Sequence, residues 1–350
     1  MRILVVGPQF PDSFARNIAV TLERMGFEVS RGVPALVKGR PDQKLNRLLS
    51  LGARLFPRLE NRPQQSFVRA AERTRPDLVL VTYGELPPRT VKQLRNVAPA
   101  VAAWYPDPTG NLGREYLLGS DYHCIFFKEP RAVALFRKNL GLPAYFLPEC
   151  CNPLWHHPVD CTPEESSRYG CDVAMAGNCY YYRLRIIEAL AGFDVKIWGG
   201  RTARWLDHPM LRFHQRHYVA LEEKAKAFRA AKIVLNTMSN KETDSVNCRL
   251  FEATGCGGFV LTEYRAEVAD FFEPGREVET FDSRADLVEK VKYYLAHPEQ
   301  RKAIAEAGCR RAHRDHTYQI RLRRLLEIVS QQTGVHFPVP VESAGCAADK

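Results

Sequence analysis

Short apolar runs alternate with amphipathic stretches along most of the chain, and they do so in two series. In the first, Ile3 to Val6, Leu78 to Val81, Val101 to Trp104 and Cys124 to Phe127 are unbroken apolar runs, as expected of strands buried on both faces. Between them, Phe14 to Met25, Pro88 to Asn96 and Arg131 to Asn139 repeat apolar residues at helical spacing. Strands that alternate with crossover helices predict a parallel sheet. A polar, proline-bearing stretch from Pro148 to Glu165 then reads as a linker.

The second series has strands expected at Asp172 to Ala176, Val195 to Trp198, Ile233 to Asn236, Phe259 to Thr262 and Glu277 to Thr280. Its helices are expected at Tyr182 to Ala191, Leu221 to Ala230, Val246 to Thr254, Ser283 to Ala296, Pro298 to Arg311 and Thr317 to Gln331. The pattern divides the chain into an α/β domain over 1–160, a second over 161–333, and a tail over 334–350 that lacks periodicity and is expected to be disordered. The last helix, 317–331, can pack back on the first domain. Ligands of open α/β sheets bind at the carboxyl ends of the strands, here Gly177-Asn178 and Gly199-Gly200-Arg201, and two facing domains form a cleft. Gly7-Pro8 follows the first strand without G-x-G-x-x-G, so the N-terminal half is a poor dinucleotide binder.

The segment from Asp244 to Thr262 combines a polar loop, a short helix and a buried strand. A helix beginning near Val246 offers free backbone N–H groups to an anion such as a diphosphate, and Gly255 is placed to end it in the left-handed conformation. Glu252 lies on the second turn, where a carboxylate can accept hydrogen bonds from the hydroxyls of a ribose. Asp244 sits eight residues earlier, positioned to face a sugar on the far side of the diphosphate. The competing reading makes Arg249 and Glu252 a surface pair and Asp244 a residue that opens the helix.

Composition narrows the class. The 350 residues, 45% of them hydrophobic and 26% charged, suit a soluble two-domain protein. No apolar run is long enough to span a membrane, and Met1 to Gly7 is too short for a signal-peptide core, so the expected location is the cytoplasm with reduced cysteines. The ten cysteines include no C-x-x-C pair, which leaves a zinc site without support, and no metal is expected. The net charge is +10, and eleven Lys or Arg against three acids lie between Arg31 and Arg75. Leucines at helical spacing among them suit contact with an anionic membrane surface, at its inner face, or with an anionic acceptor, or else an amphipathic helix packed on its own domain. No nucleic-acid motif accompanies the charge.

The C-terminal half resembles the CgeB/YkvP-type spore-maturation family of glycosyltransferases, a branch of the GT-B superfamily related to the family-four retaining enzymes. The residues that carry the resemblance are Asp172 to Asn178 with Tyr182-Arg183, Asn247 to Glu252 with Gly255 to Phe259, Phe272 to Phe281, Tyr293 to Leu295, Ala305 to Gly308, and His316 to Arg321. The first half matches more loosely, through Pro76 to Val81, Trp104 to Pro108 and Leu147 to Glu149.

This resemblance implies an α/β fold of GT-B architecture, two Rossmann-like domains facing across a cleft, with a nucleotide-sugar donor on the second domain and an acceptor, a glycan, lipid or protein, on the first. It implies a glycosyltransferase that uses no cofactor and no metal, and favours retention of configuration. Glu252 then binds the ribose and Asp244 stands where the related pattern has a glutamate near the donor sugar. Arg183 and Arg249, with Arg201 third, neutralise the diphosphate beside Asn247, Gly177 and Asn178. Asp107, after a buried strand, faces acceptor or sugar, although Asp107-Pro108-Thr109-Gly110 is also good turn chemistry. With inversion instead, Asp107 or Glu85 would serve as general base. The alternatives are a non-catalytic nucleotide- or glycan-binding protein, with Asp244 in place of glutamate as its mark, and a peripheral membrane or polyanion binder acting through the basic segment 31–75. His123, His156, His157 and His316 are expected to be structural.

Overall fold

The computed structural model describes residues 1–33 and 57–338, the side chains of 57–63 excepted. Residues 34–56 of the basic segment and the tail from 339 lie outside the described residues. The first domain is built on six parallel strands, β1 (Arg2–Val6), β2 (Glu28–Gly32), β3 (Leu78–Val81), β4 (Ala100–Tyr105), β5 (Cys124–Phe127) and β6 (Ala144–Phe146), in the order β2-β1-β3-β4-β5-β6. The second has five parallel strands, β7 (Cys171–Ala176), β8 (Val195–Trp198), β9 (Ala231–Asn236), β10 (Val260–Glu263) and β11 (Glu279–Phe281), in the order β11-β10-β9-β7-β8. β2 and β6 escape a periodicity reading because their residues, Glu28-Val29-Ser30-Arg31-Gly32 and Ala144-Tyr145-Phe146, are polar or few.

The inner strands of each sheet are buried on both faces. In the first domain α1 (Phe14–Arg24) covers one face, and α2 (Pro57–Thr74), α3 (Pro88–Arg95) and α4 (Pro130–Leu140) the other. Phe67, Val68 and Ala71 of α2 join the apolar core, so this end of the basic segment is packed on its own domain. In the second domain α5 (Pro163–Tyr169), α7 (Glu222–Ala230) and α8 (Cys248–Gly255) lie on one face, while α6 (Tyr181–Ile187), α9 (Arg284–Ala296) and α10 (Pro298–Asp315) lie on the other or at its margin. α5 begins at the end of the stretch read as linker, capped by a Thr162/Glu165 box that satisfies the Glu165 and Thr162 N–H groups.

The last helix, α11 (Tyr318–Thr333), belongs to the first core. Its Tyr318, Leu322, Leu325, Leu326 and Val329 pack with Ile18 and Leu22 of α1 and with Trp104 of β4. The tail departs from the expectation of disorder at its start, because Phe337 is buried in the same core. The chain thus crosses between domains twice. The first crossing falls between adjacent cysteines: Cys150 lies in the first core and Cys151 in the second.

Candidate functional site

Both sheets reverse their strand order beside their first strand, and such a switch point opens a crevice at the carboxyl ends. In the second domain the crevice lies between β7 and β9, and the first domain closes it from above. The resulting cleft holds a cavity of about 560 Å³ lined from both domains, by Pro106, Asp107, Asn111, Lys128 and Glu149 on one side and by Asn178, Arg183, Glu242, Asn247 and Arg249 among those on the other.

Two guanidinium groups form the deep wall. Arg183 is buried and fixed by Thr237 Oγ1 at 2.7 Å, by the carbonyl of Asn178, and by the ring of Tyr180 4.6 Å beneath it. Arg249 donates to the carbonyl of Ala176 and, at 2.9 Å, to Asn236 Oδ1. Neither has a carboxylate within ion-pair distance among the described residues. Burial and the neighbouring Arg249 charge pull the Arg183 pKa down to about 10, which still leaves it a cation. Gly177 makes the convergence possible: its φ is +132°, and a Cβ there would stand 2.4 Å from an Arg249 nitrogen. A glycine at the end of β7 therefore makes room for the positive charge.

Facing the arginines, Lys128 at the end of β5 bridges the domains. Its Nζ lies 3.1 Å from Glu149 of the first domain and 2.5 Å from Glu242 of the second, all three buried. The two acids respond differently. Burial pushes Glu149 up to about 7, with Lys128 opposing and Glu242 and Asp107 adding to the rise. Glu242 also suffers burial, but the closer Lys128 and the Ser239 N–H at 2.7 Å outweigh it and hold its carboxyl low. Asp107 is raised, by burial first and by Glu242, with Lys128 opposing.

Of the residues expected from sequence, Asp107, Arg183, Asn178, Asn247 and Arg249 come together on this cavity. Asn247 is the N-cap of α8, where its amide donates to the Thr237 carbonyl at 3.1 Å instead of capping the helix N–H groups. Asp244 does not reach the cavity. Its Oδ2 accepts the Arg131 N–H at 3.0 Å, at the start of α4, whose own N-cap Glu129 makes no side-chain bond to it. The loop instead turns Glu242 inward, two residues earlier. Gly177 serves through its backbone, and Arg201 is exposed outside the lining. Gly255 is the last residue of α8, packed against Cys151 and His156, and the left-handed turn falls at Gly257, φ +71°.

Glu252 also stands away from the cavity wall, one turn further along α8 than Arg249. It shares Lys224 with Asp12: the ammonium is 3.0 Å from Glu252 Oε2 and also contacts Asp12, in the loop after β1. His156 Nδ1 accepts the Asn152 N–H at 3.0 Å, which leaves Nε2 directed at Asp12, 3.3 Å away. Burial tends to raise the Asp12 carboxyl, but Lys224 and His156 outweigh it and hold the pKa low. Burial works likewise against the Lys224 ammonium, and Glu252 and Asp12 more than compensate. Asp12, His156 and Glu252 bring ligand atoms within 4.8 Å of one another, a set able to take a divalent cation, but Lys224 already supplies positive charge there.

Sequence reasoning missed Lys128, Glu242, Lys224 and Asp12. The signal it had was position: Lys128 and Asp12 follow the ends of first-domain strands, as Asp107 does. His123, His156, His157 and His316 each hold a hydrogen bond to the backbone. His316, for example, bonds the Phe271 carbonyl at 2.8 Å among three phenylalanine rings. No described helix is long and apolar enough to cross a membrane.

Residues 183–327 match the family model described as glycosyl transferase-like. Comparison with curated proteins gives no match. Among solved structures, the chain is similar to sucrose-phosphate synthase (tll1590) from Thermosynechococcus elongatus, with TM-score 0.67 and 12% identity over 95% of this chain and 98% of that one. It is similar to Anabaena Alr3699/HepE, solved in complex with UDP-glucose, with TM-score 0.64 and 12% identity over 95% and 100%. A UDP-forming trehalose-phosphate synthase from Burkholderia xenovorans gives TM-score 0.59 and 11% identity over 96% and 100%. At such identities the likeness is one of fold, and the fold is the two-domain GT-B architecture.

Proposed function

We propose that this glycosyltransferase moves a sugar from a nucleoside diphosphate donor to an acceptor hydroxyl in the cleft, with retention and without a catalytic metal. The observation that carries the reading is the pair Arg183 and Arg249, converging at the ends of β7 and β9 without an acidic partner among the described residues. A diphosphate there meets both guanidinium groups and the uncapped N-terminus of α8.

In the reaction the bond from the anomeric carbon to the diphosphate oxygen breaks, and the leaving oxygen takes up negative charge. Arg183 and Arg249 stabilise that charge as it develops, from a site already organised, with Arg183 buried. The acceptor oxygen bonds to the anomeric carbon on the same face, and its proton passes to a donor phosphate oxygen, so no protein base is required. Retention is the outcome favoured by the kinship with family-four enzymes. Glu252 remains the candidate for the ribose through Oε1, since Oε2 faces Lys224. Glu242 takes the place expected of Asp244 at the sugar end, held by Lys128. Asp107 lies on the acceptor wall, where its raised pKa suits a hydrogen-bonding role. The closer kinship with the CgeB/YkvP-type branch rests on the sequence stretches alone.

UDP is the first nucleotide to try, because the similar HepE structures hold UDP and UDP-glucose. A thermal-shift panel of UDP, GDP, dTDP, ADP and CDP tests the proposal: one should raise the melting temperature of the wild type and leave Arg183→Ala unmoved. A protein stabilised by none of them would overturn it. Release of nucleoside diphosphate from the matching donor sugar separates a transferase from a binding protein, and the anomeric configuration of the product decides retention.

A further inference from the structure

At the mouth of the cleft, Tyr181 and Trp205 stand with ring centroids 6.0 Å apart and planes 38° apart. Both line the cavity, yet Tyr181 is 45% and Trp205 68% exposed, whereas the other three tryptophans, Trp104, Trp155 and Trp198, are buried. Large aromatic surface left in water beside a charged cavity is the mark of a binding surface. The pair is also held in place. The Tyr181 hydroxyl accepts the Asp207 N–H at 3.4 Å and donates to the Trp205 carbonyl at 3.5 Å, and His208 packs against the Tyr181 ring.

Around the rings the cavity is polar. Asn178 and Asn240 lie on the same domain, and Asp107 and Asn111 on the facing wall. Lys241 ties the two sides together through Asn111 Oδ1 at 2.7 Å and the Gly110 carbonyl at 3.2 Å. Flat apolar rings set among amides and a carboxylate match the two chemistries of a pyranose, whose C–H face stacks on an aromatic ring while its hydroxyls bond polar side chains. A lipid chain finds no continuous apolar trough among these groups. A nucleobase belongs elsewhere on the proposed reading, which sets the ribose at Glu252, a residue outside the lining that holds Tyr181 and Trp205.

We propose that Tyr181 and Trp205 form a subsite in which a sugar ring of a saccharide acceptor stacks, making the acceptor a glycan and placing part of its site on the donor domain. The inference rests on the transferase reading above.

The exposed Trp205 is its own probe. Acrylamide quenching of tryptophan fluorescence would be measured with and without UDP, in the presence of methyl glycosides and disaccharides of glucose, galactose, mannose and N-acetylglucosamine. The expected result is that at least one saccharide shields the quenchable fraction, that Trp205→Phe removes this fraction, and that Tyr181→Ala weakens the shielding titration by about fivefold. Two results would overturn the subsite: no shielding by any saccharide in either state, or shielding by UDP alone, which would assign the rings to the base. Vesicles that shield Trp205 where saccharides do not would overturn it equally. The thermal shift with UDP is read on the same samples, so that failure of nucleotide binding is distinguished from failure of the saccharide subsite.

Discussion

The backbone N–H of Cys151 donates to the carbonyl of His316 at 2.9 Å, and these residues lie on the two passages of the chain between domains. The Tyr318 N–H returns to the Cys151 carbonyl at 3.0 Å, so the passages form a short parallel bridge. The domains are thus joined by a paired strap at the start of the stretch read as a linker. Asn152, the next residue, fastens the strap to α1 by donating to Asn17 Oδ1 at 2.9 Å, and Trp155 Nε1 shares that acceptor at 2.9 Å.

Asn17→Ala should therefore leave two buried donors without their acceptor and cost about 2 to 4 kcal/mol. Urea denaturation checks this through the midpoint. Asn17→Ala combined with Trp155→Phe, which removes one of the two orphaned donors, should lose less than the sum of the single changes; strictly additive losses would show that the shared acceptor is not the cause.

Arg183→Ala should lower kcat/KM for the donor by about a hundredfold or more, because in the proposed reaction this buried cation meets the leaving group. Arg183→Lys should recover only part, since an ammonium cannot span Thr237, Asn178 and a phosphate as the planar fork does. Steady-state kinetics on folded variants decides, and near wild-type values for the alanine would remove Arg183 from the donor site.

Gly177→Ala should weaken nucleotide binding by about tenfold or more and cost roughly 1 to 3 kcal/mol of stability, through the positive φ and the displaced Arg249. Nucleotide titration and thermal melts measure the two effects separately. Unchanged binding would mean that Arg249 is free to move without consequence.

Stability should respond to pH through Glu149. Its folded pKa, about 7, exceeds the ordinary 4.5, so its contribution is fully present below pH 4.5 and is lost as pH rises through 7. The size is on the order of 3 kcal/mol. In Glu149→Gln this slope between pH 4.5 and 7 should vanish, as measured by urea midpoints across that window; a slope identical to wild type would place the titration elsewhere.

Lys224→Met should destabilise the protein by about 3 to 5 kcal/mol, because Asp12 and Glu252 lose the buried cation they share. Manganese or zinc should then restore part of the melting temperature, since Asp12, His156 and Glu252 bring three ligand atoms together. Wild type, with its ammonium in place, should gain less from the same metal.

Much of the fold was legible in the sequence because buried parallel strands are plain apolar runs, as in Leu78 to Val81 and Ile233 to Asn236. β2 was not, because it is an edge strand, mostly exposed or half-buried, whose residues form no apolar run. Within the site, Arg183, Arg249 and Asp107 could be found because each follows the end of a strand or opens a helix. Asp244 could not be placed. Spacing along a loop does not say which of Glu242 and Asp244 turns inward, and the partners that decide it, Lys128 and the Arg131 N–H, lie more than a hundred residues away. Lys224 and Asp12 pair across domains and leave no local pattern.

The position of α11 bears on the order in which the protein is made. Residues 1–150 leave the ribosome first, but the apolar face over α1 and Trp104 is covered by Tyr318, Leu322, Leu325 and Leu326. The second domain, complete by Asp315, can assemble its own sheet while that face still waits for its cover. The domain synthesised first is therefore finished last, and a nascent chain arrested before residue 318 would expose the groove that the final helix fills.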